Sequence, residues 1–478
     1  MWPAPVPDLP DPLTVWPAPV LELLAGGGDR PVFEDGDTVV TAAGMSELIR
    51  RIAAGLRASG IGPGRGVALR LGVNAPAFAA TIAAFAVGAR VSGLPGGLTE
   101  GQLAHLLERD DAVLIDDEFV AQLAGFPADP LVAAGRAEDI ARIIYTSGST
   151  GNPKGCAQTY AAMSAAWAPY PDRWPPAIAE LARRLDRYLV FGSLSSQVML
   201  EYGILTLAAG GTLVAAQRPV FPDALVEHRA TASVITVGKL HQLVRAQQAN
   251  PADLSGLRAL MVSGSPLSPA RLRSAIDVLG PVIFHGYGQT ETGMIAMVTP
   301  GEMAAFAGTV GRPPPVTAIS LRDGELYVRT PAQASSYWQD PSESAEVFVD
   351  GWVRTRDLAT LDAHGYLHLH GRTRDVIIVQ ATLVYAGPIE QLLTTDPAVA
   401  EAYVVARPDD HTGESVHAYI VPTPNATPDL PALRALVTTR LGPASTPQSL
   451  TIIDQAPLTP NGKPDKSALS RSTPIQYE

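Results

Sequence analysis

Cysteine occurs once, at Cys156. No intrachain disulfide can form, so the fold must be held by its core, and a reducing cytoplasm is the compartment that fits. Cys156 itself reads as a small buried residue rather than a nucleophile. Charged residues make up 17% and aromatic residues 6% of the chain, and the formal charge is -12. That sign argues against a nucleic acid or an anionic membrane as the main partner, because phosphate-rich surfaces bind basic patches. The most apolar run, residues 75–89, is shorter than a bilayer span and stops at Arg90, so it reads as a buried helix. The first residues carry many prolines and no basic stretch, which is unlike a signal peptide.

What is present is apolar and rich in turns. Apolar residues make up 46% of 478, more chain than one core usually supports, so two or more domains are expected. Glycine and proline, 43 each, recur without a repeat and point to many connecting loops. Up to about Arg30 the proline-rich chain is expected to drape over the surface. Beyond it, helical stretches at 48–56 and 76–87 alternate with short apolar runs at 67–71, 113–115, 143–145, 188–191, 233–237, 260–263 and 282–284. Such alternation predicts an α/β fold with parallel, helix-covered sheets and ligands bound beyond the carboxyl ends of the strands.

The chain is organised around Tyr145-Thr-Ser-Gly-Ser-Thr-Gly-Asn-Pro-Lys-Gly155. It follows Ile143-Ile144 and precedes an alanine-rich helical pattern over 160–167, so it reads as a strand-to-helix loop. Its three glycines, four hydroxyls (Thr146, Ser147, Ser149 and Thr150) and Lys154 are phosphate-binding chemistry. Pro153 before Lys154 is incompatible with an ordinary P-loop, since proline lacks the N–H that such a cradle needs. Further loops stand where strand ends are expected. Gly264-Ser265-Pro266 follows one strand, and His285-Gly-Tyr-Gly-Gln-Thr-Glu-Thr-Gly293 follows another. In the latter, Gly286 and Gly288 permit close backbone approach, Tyr287 offers a flat face, Thr290 a hydroxyl and Glu291 a hard oxygen ligand for Mg²⁺. Downstream come Gly351-Trp-Val-Arg-Thr-Arg-Asp357, Gly371-Arg-Thr-Arg-Asp375 and Pro457-Leu-Thr-Pro-Asn-Gly-Lys-Pro-Asp-Lys466.

This series, in this order, closely resembles the adenylate-forming superfamily, which includes acyl-CoA and aryl-CoA ligases, peptide-synthetase adenylation domains and luciferases. The resemblance covers nearly the whole chain, with the first hundred residues loosely matched. It implies a large N-terminal domain of helix-covered sheets plus a distorted barrel over residues 1–374. A smaller mobile α+β domain over 375–478 would turn about a hinge at Asp375. It also implies ATP and Mg²⁺ as cofactors. Thr146, Ser147, Gly148, Ser149, Thr150, Gly151 and Lys154 would take the β- and γ-phosphates. Gly264, Ser265 and Pro266 would lie against adenine and the acyl group, Tyr287 against the base, and Thr290 near phosphate. Glu291 would hold Mg²⁺, Asp357 the ribose diol and Arg372 ribose or phosphate. Lys463 would contact the α-phosphate and the attacking carboxylate, and its loss is expected to cripple adenylation while leaving ATP binding largely intact. Lys466 is the downstream basic residue.

Three segments depart from the family's pattern. Arg356 replaces the glycine of a Thr-Gly-Asp motif. In the segment read in the family as Ile-Lys-x-x-Gly, Ile378 replaces lysine and Ala381 replaces glycine, so a methyl crowds the path of a pantetheine thiol. CoA remains the first expectation for the acceptor. The alternatives are an amine, a hydroxyl, a second acid molecule or a carrier protein, with a luciferase-like oxygenase more remote. A catalytically silent adenylate-binding protein is the alternative of a different class. The substrate segment, Phe191-Gly-Ser-Leu-Ser-Ser-Gln-Val-Met-Leu200, lacks the aspartate that pairs with an α-amino group. Ser195, Ser196 and Gln197, with Glu201 and the backbone at His285, Gly286 and Gly288, are the candidate acid pocket; their polarity favours a substituted aromatic or hydroxylated carboxylic acid. Without a pocket, the same residues would be a solvated helix start. His368 and His370 share a strand face, but no third ligand at a recognisable spacing supports a metal site.

Overall fold

The computed structural model describes residues 15–94, 98–146, 154–264, 267, 269–303, 308–380, 382–409, 411–458 and 464–471, and all that follows concerns these. They form four sheets. The largest has a parallel centre of strands Ile283–Gln289, Ala259–Ser263, Ala232–Thr236, Arg187–Val190, Thr212–Ala215 and Pro31–Asp35, with antiparallel edges Gly293–Val298 and Thr38–Thr41. The second runs Ser336–Tyr337, Lys154–Thr159, Ile140–Thr146, Arg90–Gly93, Gly66–Arg70 and Ala112–Asp116, the last four parallel.

Helix Ala75–Ala86 lies between these two sheets, touching Arg90–Gly93 on one side and Pro31–Asp35 on the other. Its alanines let both sheets approach, and it has no polar stripe because every side of it is buried apart from Pro76. Asn74 starts it by accepting the Ala77 N–H at 2.8 Å. A third, antiparallel sheet contains Ala318–Arg322, Glu325–Arg329, Trp352–Leu361, Phe348–Val349 and Leu367–Arg372. The fourth contains Val376–Val379, Thr382–Tyr385, Val399–Asp409, Gly413–Pro422 and Ser449–Ile452. Helices Ala386–Leu393 and Leu430–Leu441 supply Ile389, Leu393, Leu433 and Val437 to a core that this sheet shares with no other.

Three expectations from sequence are corrected. Residues 15–30 are not draped on the surface: helix Ala18–Ala25 buries Val20 and Leu24, and Trp16 is 3% exposed. The apolar spacing of 16, 20 and 24 is one helix face, hidden among prolines. The phosphate-type loop is not followed by a helix. Ile140–Thr146 turns back as Lys154–Thr159, with Thr146 opposite Lys154 and Ile140 opposite Thr159. Gly155, Cys156 and Ala157 are small enough for this crowded strand, and the helix begins only after Thr159, whose hydroxyl accepts the Ala162 N–H at 3.1 Å. That helix ends at Ser164, short of the expected Trp167. Finally, His285 to Gln289 is strand rather than loop, returning through Gly293–Val298 after a three-residue turn.

Candidate active site

Tyr287 and Gln289 alternate along one strand and therefore share a face. Both donate to the same carboxylate oxygen of Asp357, the amide at 2.7 Å. Arg372, directly opposite Asp357 on the neighbouring strand, donates its Nε to the other oxygen at 2.9 Å. Asp357 is 4% exposed. Three motifs distant in sequence thus meet on one buried carboxylate. Burial, with Asp357 adding to it, holds the Tyr287 phenol far above its usual range, so it stays a neutral donor. Burial works against the Arg372 charge, but Asp357 and Asp375 outweigh it and raise its pKa. A carboxylate has about four lone-pair sites, and three donors already stand on this one. Both hydroxyls of a vicinal diol fit only if one of those donors yields.

The turn after Gln289 carries Thr290 and Glu291. The Tyr337 hydroxyl donates to Glu291 at 2.6 Å, and the Cys156 thiol lies beside the same carboxylate. Burial first, then Glu291, pushes that thiol well above its ordinary pKa, which suits the small buried role expected for it. Lys154, at the end of its strand, pairs with Glu343 at 2.6 Å, and Arg356 meets the same glutamate oxygen at 3.0 Å. Burial alone would raise the Glu343 pKa, but the two cations outweigh it and lower it. Arg356 has φ of 61°, the left-handed region, at the position where the resembled motif has glycine. No cluster of three acidic, histidine or cysteine side chains able to hold a metal occurs among the described residues. Glu291 nevertheless suits Mg²⁺, which is commonly held by one or two carboxylates and completes its shell with phosphate and water.

The structure separates the remaining candidates. Ser147, Gly148, Ser149, Thr150, Gly151, Ser265, Pro266, Ala381 and Lys463 lie outside the described residues. Thr146 is described by its backbone, closing the hairpin opposite Lys154. Gly264 has φ of 93°. A Cβ on Gly286 would run into Met261 and one on Gly288 into the Gly293 backbone, so neighbouring strands by themselves require glycine there. Asp375 ends a short turn between the third and fourth sheets and meets Lys466 at 3.5 Å, while Lys466 also meets Glu390 at 2.7 Å. The His368 ring is bonded to Asp362 and the His370 ring to Thr360, which accounts for both without a metal.

A cavity of about 370 Å³ adjoins the Glu291 turn. Gln197, Leu200, Glu201 and Ile204, one face of helix Gln197–Ala208, line it, together with Trp16, Met163 and Trp167. Thr292, Gly293 and Met294 line it from the strand side. Arg142 and Gln158, cross-strand partners in the hairpin, form another wall and are hydrogen-bonded at 2.6 Å. Burial raises the Glu201 carboxyl to about 7, opposed by Arg142. It lowers the Arg142 guanidinium to about 10, opposed by Glu201.

Of the expected pocket residues, Gln197 and Glu201 are in the lining. Ser195, Ser196, His285, Gly286 and Gly288 are not. Ser196 caps the helix by accepting the Met199 N–H at 3.3 Å, Ser195 bonds Ser193 at 2.8 Å, and His285 is buried within its strand. Arg142, Gln158, Gln289, Tyr337 and Glu343 escape a sequence reading of the site. Two signals were available: Gln289 alternates with Tyr287, and Arg142 is a lone charge in an apolar strand.

The chain matches the AMP-binding enzyme family over residues 22–116 and 109–338, and the AMP-binding enzyme C-terminal domain over 388–463. It is 33% identical to a feruloyl-CoA synthase of Amycolatopsis sp over 472 residues, 91% of this chain and 94% of that protein. It is 32% identical to a medium/long-chain-fatty-acid–CoA ligase of Mycobacterium tuberculosis over 382 residues, 73% of this chain and 64% of that protein's length. Among solved structures, amide bond synthetase McbA of Marinactinospora thermotolerans superposes with a TM-score of 0.82 at 32% identity, covering 94% of this chain and 98% of that one.

Proposed function

The chain belongs to the AMP-binding enzyme family, and from that premise we propose that it is an AMP-forming acid ligase. It would join a carboxylic acid to the α-phosphate of ATP, release pyrophosphate, and pass the acyl group on, first of all to CoA. The observation that carries this reading is the shared turn. Thr292 and Gly293 line the cavity and directly follow Thr290 and Glu291, so an acid in the cavity and a phosphate at the turn are neighbours.

A free carboxylate is a poor acyl donor because its leaving group would be oxide. Attack on the α-phosphorus makes a mixed anhydride, and negative charge grows on the phosphoryl oxygens. In this reading Lys463 meets that charge, and Lys154 with Thr146, Ser147, Gly148, Ser149, Thr150 and Gly151 holds the outer phosphates. Mg²⁺, when bound through Glu291, supplies neutralising charge between them. Asp357 receives the ribose, with Arg372 beside it and Tyr287 against the base, while Gly264, Ser265 and Pro266 border the adenine. Residues 1–374 form the large domain, and residues 375–478 turn about Asp375 between the two half-reactions.

A second reading, direct transfer to an amine, is favoured by one observation: Ile378 is half exposed where the resembled segment has lysine. McbA, an amide bond synthetase, is among the similar structures.

The test is pyrophosphate release from MgATP with aryl, short-chain and long-chain acids, with and without CoA and simple amines, reading products by mass. An acyl-AMP converted to thioester by CoA establishes a CoA ligase. Conversion by amine alone establishes the second reading. Nucleotide binding without pyrophosphate release from any acid overturns both and favours a silent adenylate-binding protein.

A further inference from the structure

Arg142 and Glu201 border the same cavity, oppose each other's burial electrostatically, and yet do not touch. Arg142 is 7% exposed. Its Nε is held by Gln158, and its side chain makes no other hydrogen bond or ion pair among the described residues. The Glu201 side chain makes none among them. Two opposite charges sunk in a cavity ordinarily close on one another, because unpaired buried charge is expensive. Here no ion pair forms between them, and both line the space that an acid would occupy.

The groups that would satisfy both can be sorted by chemistry. A second carboxylate would satisfy Arg142 and be repelled by Glu201, and an ammonium would do the reverse. A hydroxyl accepts from a guanidinium and donates to a carboxylate at once, and is small. The walls narrow the class further: Trp16 and Trp167 are flat, Met163 and Met294 are adaptable, and together they suit an aromatic ring.

We infer that the Arg142–Glu201 pair is a hydroxyl receiver, so that the enzyme selects aryl acids bearing a ring hydroxyl distant from the carboxyl being activated. The inference rests on the reading of the cavity as the acid site. Arg142 and Glu201 are specificity residues in it, not members of the phosphate machinery. A plain aryl acid strands both charges, and a site built to bond a hydroxyl rejects the analogue lacking it far more strongly than an apolar pocket rejects a missing methylene.

The experiment compares matched acids differing only in a meta or para hydroxyl, such as 4-hydroxycinnamate and cinnamate or 4-hydroxybenzoate and benzoate, by pyrophosphate release. In parallel, the dissociation constants of the corresponding acyl-sulfamoyl adenosines, which mimic the acyl-AMP and need no turnover, are measured. The full-length protein is used, with Glu201→Gln and with the double variant Arg142→Met/Glu201→Leu, which removes both charges together so that neither is left buried alone. The native protein is expected to prefer the hydroxylated member by about a hundredfold or more, and the double variant to lose that preference while accepting the plain acid. Equal treatment of both members by the native protein overturns the hydroxyl receiver and leaves adenylation standing. A preference that survives in the double variant also overturns it. Failure of every mimic to bind overturns the acid-site reading as well.

Discussion

Glu201 makes the cavity it lines sensitive to pH in a calculable direction. Burial lifts its carboxyl from 4.5 to about 7 despite the pull of Arg142. A carboxyl whose folded pKa exceeds its unfolded value holds its proton more tightly in the folded protein, so stability is lost as pH rises from about 4.5 through about 7. Glu201→Gln removes that slope. Relative to the native chain, the variant should gain about 2 to 3 kcal/mol between about pH 5 and about pH 8, read from urea unfolding at each pH. An unchanged slope would put the titration elsewhere. Arg356 poses a different balance: a left-handed non-glycine residue costs about 1–2 kcal/mol, while partly exposed ion pairs such as those to Glu343 and Glu346 return roughly 0–1 kcal/mol each. Arg356→Gly is therefore expected to shift stability by less than about 1 kcal/mol, and a loss above about 2 kcal/mol would show that the Lys154–Glu343–Arg356 group acts as a unit. At this scale the sequence is informative where a motif carries the residue. Tyr287, Asp357 and Arg372 are readable because each sits in a recognisable run, although their meeting on one carboxylate is a matter of strand register. Trp16 is unreadable because prolines around it imitate a surface tail.

The hairpin of Ile140–Thr146 and Lys154–Thr159 shows where element-level reading stops. A glycine-rich loop between an apolar run and an alanine-rich run suggests strand, loop and helix. The second strand also pairs with Ser336–Tyr337, far away in sequence. The hairpin register sets Arg142 opposite Gln158 in the cavity wall. Helix Gln197–Ala208 is the converse case: Gln197 and Glu201 line the cavity as expected, whereas its capping residue does not. Ser196 satisfies a helix N–H rather than a substrate. Ser196→Ala should cost about 1 kcal/mol of stability and leave the ranking of acids by kcat/KM unchanged. A changed ranking at full stability would return Ser196 to the pocket.

Across the whole molecule, the fourth sheet has a core of its own, in the stretch where the resemblance implies a smaller α+β domain, and that core governs how the chain should come apart. Lys466 ties the start of the last described helix to Glu390 and to Asp375 at the link between sheets. Burial disfavours the Lys466 charge, but the two carboxylates more than compensate and raise its pKa. Lys466→Met leaves Glu390 without its cation. Because the pair keeps 29% and 19% exposure, the cost should fall below that of a fully buried pair, on the order of 2–3 kcal/mol. Hydrogen exchange should locate the loss in residues 376–458 and spare the parallel sheets; a loss spread over the entire chain would mean that the two cores melt together. Cys156, finally, sits on the strand joined to Ile144 on one side and Tyr337 on the other, next to Glu291. A thiol reacts through its thiolate and needs access, and here both are withheld until the strands part. Because the chain has no other thiol, each molecule can take one iodoacetamide adduct and no second. Its labelling rate is thus an internal stopwatch for how often these strands part, and for how far added nucleotide slows it.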